Sequence, residues 1–279
     1  DYLEAYAHRF ALPVRTEVKV NRLSAAGDRF EALCDDDAEV LSARRVVVAT
    51  GAYYHPRLPA FATALDADIF QLHSSGYRNR AQLREGGVLV VGAGNSGAEI
   101  AMELSRHHQI WLSGPDTGQE PTRAGSIPDR LFTPIMWLMA TRLTVKSPLG
   151  RKFRDHLLDP PRGIPLGRVR RKDIAAAGIE RVGRTTGVRD GYPLLEDGRI
   201  VKTSNVIWCT GYTPDYRWID LALPTRHGFP IHNRGIVESV PDLYFIGQLF
   251  LYSLSSALLG GVGRDAEYIV DHIAAKQLS

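Results

Sequence analysis

At 279 residues, 44% of them apolar and 23% charged, the chain is long enough for one large domain or two ordinary ones. That composition excludes a disordered tail, a collagen-like fibre and a disulfide-stapled miniprotein. Lys and Arg total 34 against 31 Asp and Glu, a formal charge of +3 that is too balanced to name an acidic partner.

Two cysteines, Cys34 and Cys209, form no CxxC pair, which removes a dithiol redox mechanism within the chain and leaves nothing to suggest secretion. No apolar run reaches the ~20 residues that span a bilayer. The nearest, 131–143, is broken by Pro134 and Arg142. No transmembrane segment is expected, and a cytoplasmic location is. Position 1 is Asp, and residues 2–10 already read as the middle of an amphipathic helix, so the chain is expected to start partway through a larger protein.

After that helix come short β-patterned pieces at 14–20, 30–33 and 40–41, the first two separated by a Gly27-Asp28 turn. The run RVVVAT at 45–50 suits a strand buried on both faces, and Gly51 ends it. A second buried strand at 88–91 runs into GAGNSG, then a helix over 98–105, then a strand at 110–112. Strand, glycine turn, helix and strand make one βαβ unit of a doubly wound α/β sheet.

Residues 127–158 are helical in pattern, with a stripe of Leu131, Ile135, Leu138, Met139 and Leu143 read as a core face rather than a membrane or partner face. From 142 to 184 there are 12 Lys and Arg against 4 Asp and Glu. Nucleic-acid binding would interleave such charge with aromatics, and only Phe153 qualifies, so a solvated face or attraction for an anionic cofactor is expected instead. A hairpin over 187–201 turns at Glu196-Asp197-Gly198, a buried strand at 206–209 ends in Thr210-Gly211, a last strand at 243–246 ends in Gly247, and a helix covers 256–276.

GAGNSG carries the chemistry. Gly92 allows the tight turn, Gly94 admits a pyrophosphate to the backbone, and Gly97 lets helix and strand pack closely. With Asn95 and Ser96 they open a helix whose free N–H groups and positive dipole end suit phosphates. The alternative is a glycine-rich turn without a ligand. An NAD site wants a carboxylate about 20 residues on; Trp111-Leu112-Ser113-Gly114 has none. Neutral Ser113 with Arg123 nearby favours the 2′-phosphate of NADP, Arg123 being either its ligand or an ordinary surface charge. No metal spacing appears among the His.

Two strands end in Thr-Gly, at Thr50-Gly51 and Thr210-Gly211, with GAGNSG between them and LYFIGQ after. This set resembles the flavoproteins with two dinucleotide-binding domains. Within that group HSSGYRNR is similar to the flavin-containing monooxygenases, whose signature F-x-G-x(3)-H-x(3)-[FY] precedes the NADP motif. His73 and Tyr77 match it; the Phe and Gly positions fall on Ala67 and Ile69. The likeness is closest to a bacterial branch carrying QLHSSxYR and covers essentially the whole chain.

The resemblance implies two Rossmann-like domains, the NADP domain (83–205) inserted into an FAD domain made of 1–82 and 206–279. The FAD domain is incomplete here, its own GxGxxG being expected upstream. It implies FAD and NADP as cofactors, a small organic substrate and O₂ as partners, and monooxygenation through an FAD C4a-hydroperoxide. Thr50, Gly51, His73, Tyr77, Gly211, Gly247 and Gln248 become cofactor-site candidates, with His73 alternatively a satisfied structural histidine. No catalytic residue is assigned. A non-catalytic nucleotide-binding module and a flavin-dependent reductase remain open.

Overall fold

The computed structural model describes residues 2–278 except 36–37, 52, 123–125, 159–164 and 227. The chain divides into two compact units. One comprises Asp1–Ala49, Asp215–Ile246 and Asp265–Ser279; the other comprises Thr50–Pro214 and Gly247–Arg264.

In the first unit the strands Val20–Ala26, Arg29–Cys34 and Glu39–Ala43 form an antiparallel meander, with Ile219–Asp220 added in parallel on the outer edge. Gly27 supplies the positive φ of the first turn. Residues 14–19 are not a strand. Glu17 takes φ +61, which interrupts an extended run, and pairing starts only at Val20. Among the described residues Val46–Val48 pairs in parallel with Leu243–Phe245 alone, and Val47 is 44% exposed rather than buried on both faces as expected.

The second unit is built on a five-stranded parallel sheet in the order Phe70–His73, Asn205–Trp208, Val88–Val91, Ile110–Ser113, Glu180–Val182. Both faces of its centre are covered, which is why VLVV is apolar without alternation. Val88 and Val90 pack with Ala98, Ala101 and Leu104 of the helix Asn95–Leu104. Leu89 and Val91 pack with Trp208 and Leu195, beneath the hairpin of Thr185–Arg189 and Tyr192–Leu195. Each buried Val or Leu here contributes about 1.5–3 kcal/mol relative to leaving it exposed.

From Val88–Val91 the chain moves outward on one side through Ile110–Ser113 and Glu180–Val182, then returns on the other as Asn205–Trp208. That reversal is a topological switch point, and in open α/β sheets ligands bind at the strand ends beside it. The sheet also draws Phe70–His73 and Asn205–Trp208 into the unit of the glycine turn, beyond the 83–205 boundaries read from the sequence. Parallel pairing over such separations leaves no local signal.

Two further expectations shift. The hairpin turns at Asp190-Gly191, whose φ values of +53 and +77 suit a two-residue connection. Asp197-Gly198 makes a second turn, closed by Leu195 N–H to the Arg199 carbonyl at 2.9 Å. The helical region 127–158 is two helices, Ile127–Arg142 and Pro148–Leu158, the second capped by the Ser147 hydroxyl, which accepts from Gly150 N–H at 3.0 Å. Of the proposed core stripe, Ile135, Leu138 and Met139 are 57%, 48% and 58% exposed, Leu143 is half-buried, and the Leu131 side chain lies outside the described residues. The first helix instead meets its unit through Trp137, which lies against Gly260, and through the Thr141 carbonyl, which accepts from Arg264 at 3.0 Å. Among the described residues no helix is long and apolar enough to cross a membrane.

Candidate functional site

The glycine turn sits at the switch point, and its three glycines have different reasons. Gly92 has φ +112, and a Cβ there would stand 2.1 Å from the Cys209 carbonyl oxygen on the neighbouring strand. A Cβ at Gly97 would stand 1.8 Å from the Gly92 carbonyl oxygen. Both are packing requirements. At Gly94 a Cβ meets nothing within 4 Å: this glycine faces open space. It is also the N-cap of the Asn95–Leu104 helix, without a side-chain cap, and no acidic residue occupies the first turn. A phosphate approaching here meets uncapped N–H groups and an unneutralised dipole end. A nucleotide pyrophosphate fits this cradle.

Ser96 is exposed on the first turn. The Asn95 amide is engaged elsewhere: it donates to the Pro165 carbonyl at 3.1 Å and accepts from Gly167 N–H at 3.0 Å. It pins the loop before the helix Arg171–Ala176, leaving its backbone for a ligand. Burial pushes the Cys209 thiol beneath the turn up to about 12, against the Ser74 hydrogen bond, so it stays protonated.

At the end of the next strand the expected role of Ser113 is corrected. It is fully buried. Its hydroxyl donates to the Gly183 carbonyl at 2.8 Å, lies 2.8 Å from the Thr185 hydroxyl and accepts from Thr185 N–H at 3.0 Å. No capacity is left for a 2′-phosphate. Arg123 lies outside the described residues. The basic run 142–184 points to an anionic cofactor only as one of two readings and names no residue; two of its arginines, with Asp116, stand at this strand end. Arg181 donates to the Gly114 carbonyl at 2.9 Å, and Arg171 pairs with Asp116 at 2.7 Å. The Asp116 carboxyl is held below the usual range first by Gly118 N–H, then by the two guanidiniums.

The two Thr-Gly segments meet. His55–Pro56, after Thr50-Gly51, pairs antiparallel with Tyr212–Thr213, after Thr210-Gly211. Arg57 ties them further: its N–H donates to the Gly211 carbonyl at 2.9 Å, its Nε to the Thr210 carbonyl at 2.9 Å, and the Thr210 hydroxyl donates back to the Arg57 carbonyl. Gly51, Gly211 and Gly247 have φ +72, +78 and +74, and a Cβ at any of them meets nothing within 4 Å. These are open strand ends where a flat ligand can approach the backbone.

His73 joins this group. Its Nε2 lies 3.0 Å from the Gly211 carbonyl oxygen, and its ring packs edge-on to Tyr212 at 5.1 Å. Both ring nitrogens are engaged within the protein, which favours the structural alternative. Tyr77 points away, its hydroxyl donating to Glu103 at 2.9 Å on the helix of the glycine turn. Burial, then Glu103, raises its pKa above the ordinary phenol value.

Gln248 is buried after Gly247, and the segment beyond it is held by contacts no motif announces. The Ser256 hydroxyl accepts from the N–H groups of Tyr252 and Ser253, at 3.1 and 3.0 Å. Arg264 donates to the Ser253 hydroxyl at 2.7 Å and lies over the Tyr252 ring. The run SLSSALLGG is the one sequence sign of this knot.

Residues 1–126 match the family described as pyridine nucleotide-disulphide oxidoreductase. An uncharacterized CzcO-like oxidoreductase of Geobacillus kaustophilus is 38% identical over 275 residues, covering 98% of this chain and 76% of that protein. Among solved structures, a double mutant of a Stenotrophomonas maltophilia flavin monooxygenase superposes with a TM-score of 0.71 at 26% identity, over 99% of this chain and 75% of that one. The indole-3-pyruvate monooxygenase YUCCA1 of Oryza sativa is 38% identical over 108 residues, 38% of this chain and 26% of that protein. The chain belongs to the flavin-containing-monooxygenase-like family of oxidoreductases. It has the α/β architecture of flavoproteins with two dinucleotide-binding domains.

Proposed function

We propose that the protein is an FAD- and NADPH-dependent monooxygenase acting on a small organic substrate. One O₂ and one NADPH would be consumed for each oxygen atom transferred, the second oxygen leaving as water. The observation that carries the reading is the glycine turn at the switch point, with Gly94 open and the helix behind it uncapped. The family relationship supports it.

FAD, when bound, supplies hydride acceptance and O₂ activation. The chain's residues do the rest. The turn 92–97 holds the NADPH pyrophosphate on its N–H groups. The open glycines Gly51, Gly211 and Gly247 let the flavin lie against backbone, and His73 with Arg57 holds the Gly211 end in place. The Ser253–Ser256 knot with Arg264 sets the segment after buried Gln248. A cytoplasmic site of action accords with NADPH as electron donor.

The test is a stoichiometry. With FAD supplied and a thioether probe present, NADPH oxidation should draw one O₂ and yield one sulfoxide. NADPH oxidation that proceeds equally without O₂, reducing an added acceptor, would make the protein a flavin-dependent reductase instead.

A further inference from the structure

We propose that coenzyme selection rests on Arg181 and Arg171, and that the Asp116 carboxylate stands where the 2′-phosphate of NADPH docks. The inference rests on the glycine turn being the nucleotide site.

In a dinucleotide fold the adenosine ribose lies over the end of the strand that follows the glycine-turn helix. Here that strand is Ile110–Ser113, and Gly114 after it is packed on the turn itself: a Cβ at Gly114 would lie 3.3 Å from Ala93 N and 3.7 Å from Gly92 Cα. Arg181, from the adjacent parallel strand, reaches this point through its 2.9 Å bond to the Gly114 carbonyl. Two residues on, Asp116 holds Arg171 at 2.7 Å while accepting from Gly118 N–H at 2.9 Å. Arg171 and Asp116 are 59% and 52% exposed, so an incoming ligand can reach both.

The charges interact. Arg181 is drawn to Asp116 and repelled by Arg171. Arg171 pairs with the carboxylate and Arg181 stands on the nearby Gly114 carbonyl, so two guanidiniums are set against one carboxylate, a net positive site close to the buried strand end. A phosphomonoester offers more negative charge and more acceptor oxygens than that carboxylate, in the geometry a guanidinium fork prefers. A carboxylate already committed to Arg171 and to Gly118 N–H is a poor acceptor for a ribose 2′-hydroxyl. Asp116 is therefore a resident competitor that occupies Arg171 until the 2′-phosphate displaces it. NADH, lacking that phosphate, gains nothing from either arginine.

The experiment is a titration of the full chain with NADPH, NADH and adenosine 2′,5′-bisphosphate. Arg181→Gln should weaken NADPH and the bisphosphate by about tenfold or more and leave NADH within about twofold. Asp116→Asn, a near-isosteric change, should tighten NADPH several-fold without moving NADH, in about the range of one charged hydrogen bond. Equal effects of Arg181→Gln on NADPH and NADH, no effect on either, or weaker NADPH binding by Asp116→Asn would overturn the assignment. Gly94→Asp separates the two layers. If it weakens both coenzymes while the Arg181 variant leaves their ratio unchanged, only the arginine assignment falls. If it leaves both coenzymes bound as before, the glycine-turn reading falls, and this one with it.

Discussion

His73 and Gly211, 138 residues apart in sequence, are joined by a hydrogen bond of 3.0 Å from imidazole Nε2 to the glycine carbonyl oxygen. The other ring nitrogen, Nδ1, accepts from the Ser75 N–H at 3.2 Å and lies 2.9 Å from the Ser75 hydroxyl. This pattern assigns the neutral ring with its proton on Nε2. Burial lowers the His73 pKa, and the Gly211 bond only partly offsets it.

His73→Phe should therefore cost about 1–2 kcal/mol in urea unfolding while NADPH affinity changes little. The pH dependence has a definite sign. The unfolded chain takes up a proton at this site as pH falls below 6.5, and the folded chain resists, so wild-type stability declines there until the lower folded-state pKa is passed. Well above 6.5, where the ring is neutral in both states, the site contributes no slope. The variant should lose that part of the acid-side decline. A variant with an unchanged pH slope but impaired coenzyme binding would return His73 to the ligand site.

Ser113→Ala removes a buried hydroxyl that serves Gly183 and Thr185. The expected loss is about 1–3 kcal/mol of unfolding free energy, because the Gly183 carbonyl and Thr185 N–H are left short of partners. The ratio of NADPH to NADH affinity should stay as in wild type. A shift of that ratio toward NADH would show that the hydroxyl meets the coenzyme after all.

The helix Ile127–Arg142 offers a contrasting case. Ile135 and Leu138 are exposed, so the double change Ile135→Ser with Leu138→Ser should move stability by no more than about 0.5 kcal/mol at each site. A core face would lose about 2–5 kcal/mol for each large apolar side chain truncated. Chemical denaturation of the double variant distinguishes the two outcomes.

What the residues announced was local. VLVV followed by GAGNSG declares a buried strand, a tight turn and a helix within a short stretch, and all three form. What stayed hidden depended on partners far along the chain. Ser113 reads as a free polar strand end until Gly183 and Thr185 arrive to saturate it. His73 and Tyr77 form one short motif, yet one turns to Gly211 and the other to Glu103. Helical periodicity marked the stripe of Ile135, Leu138 and Met139, but spacing alone does not say whether anything packs on it. Asp116 passed unnoticed because it stands three residues past the strand, beyond where a ribose-binding carboxylate is sought.

The most direct test of the account is Gly94→Asp, read by NADPH titration and thermal unfolding together. The new side chain enters open space and caps a helix that has no side-chain cap, so the melting temperature should hold or rise. Its charge occupies the pyrophosphate position, so NADPH affinity should fall by about a hundredfold or more. Gly97→Ala should do the reverse and destabilise the fold, since its Cβ would meet the Gly92 carbonyl oxygen at 1.8 Å. A folded Gly94→Asp protein that binds NADPH as tightly as wild type would contradict the account at its centre.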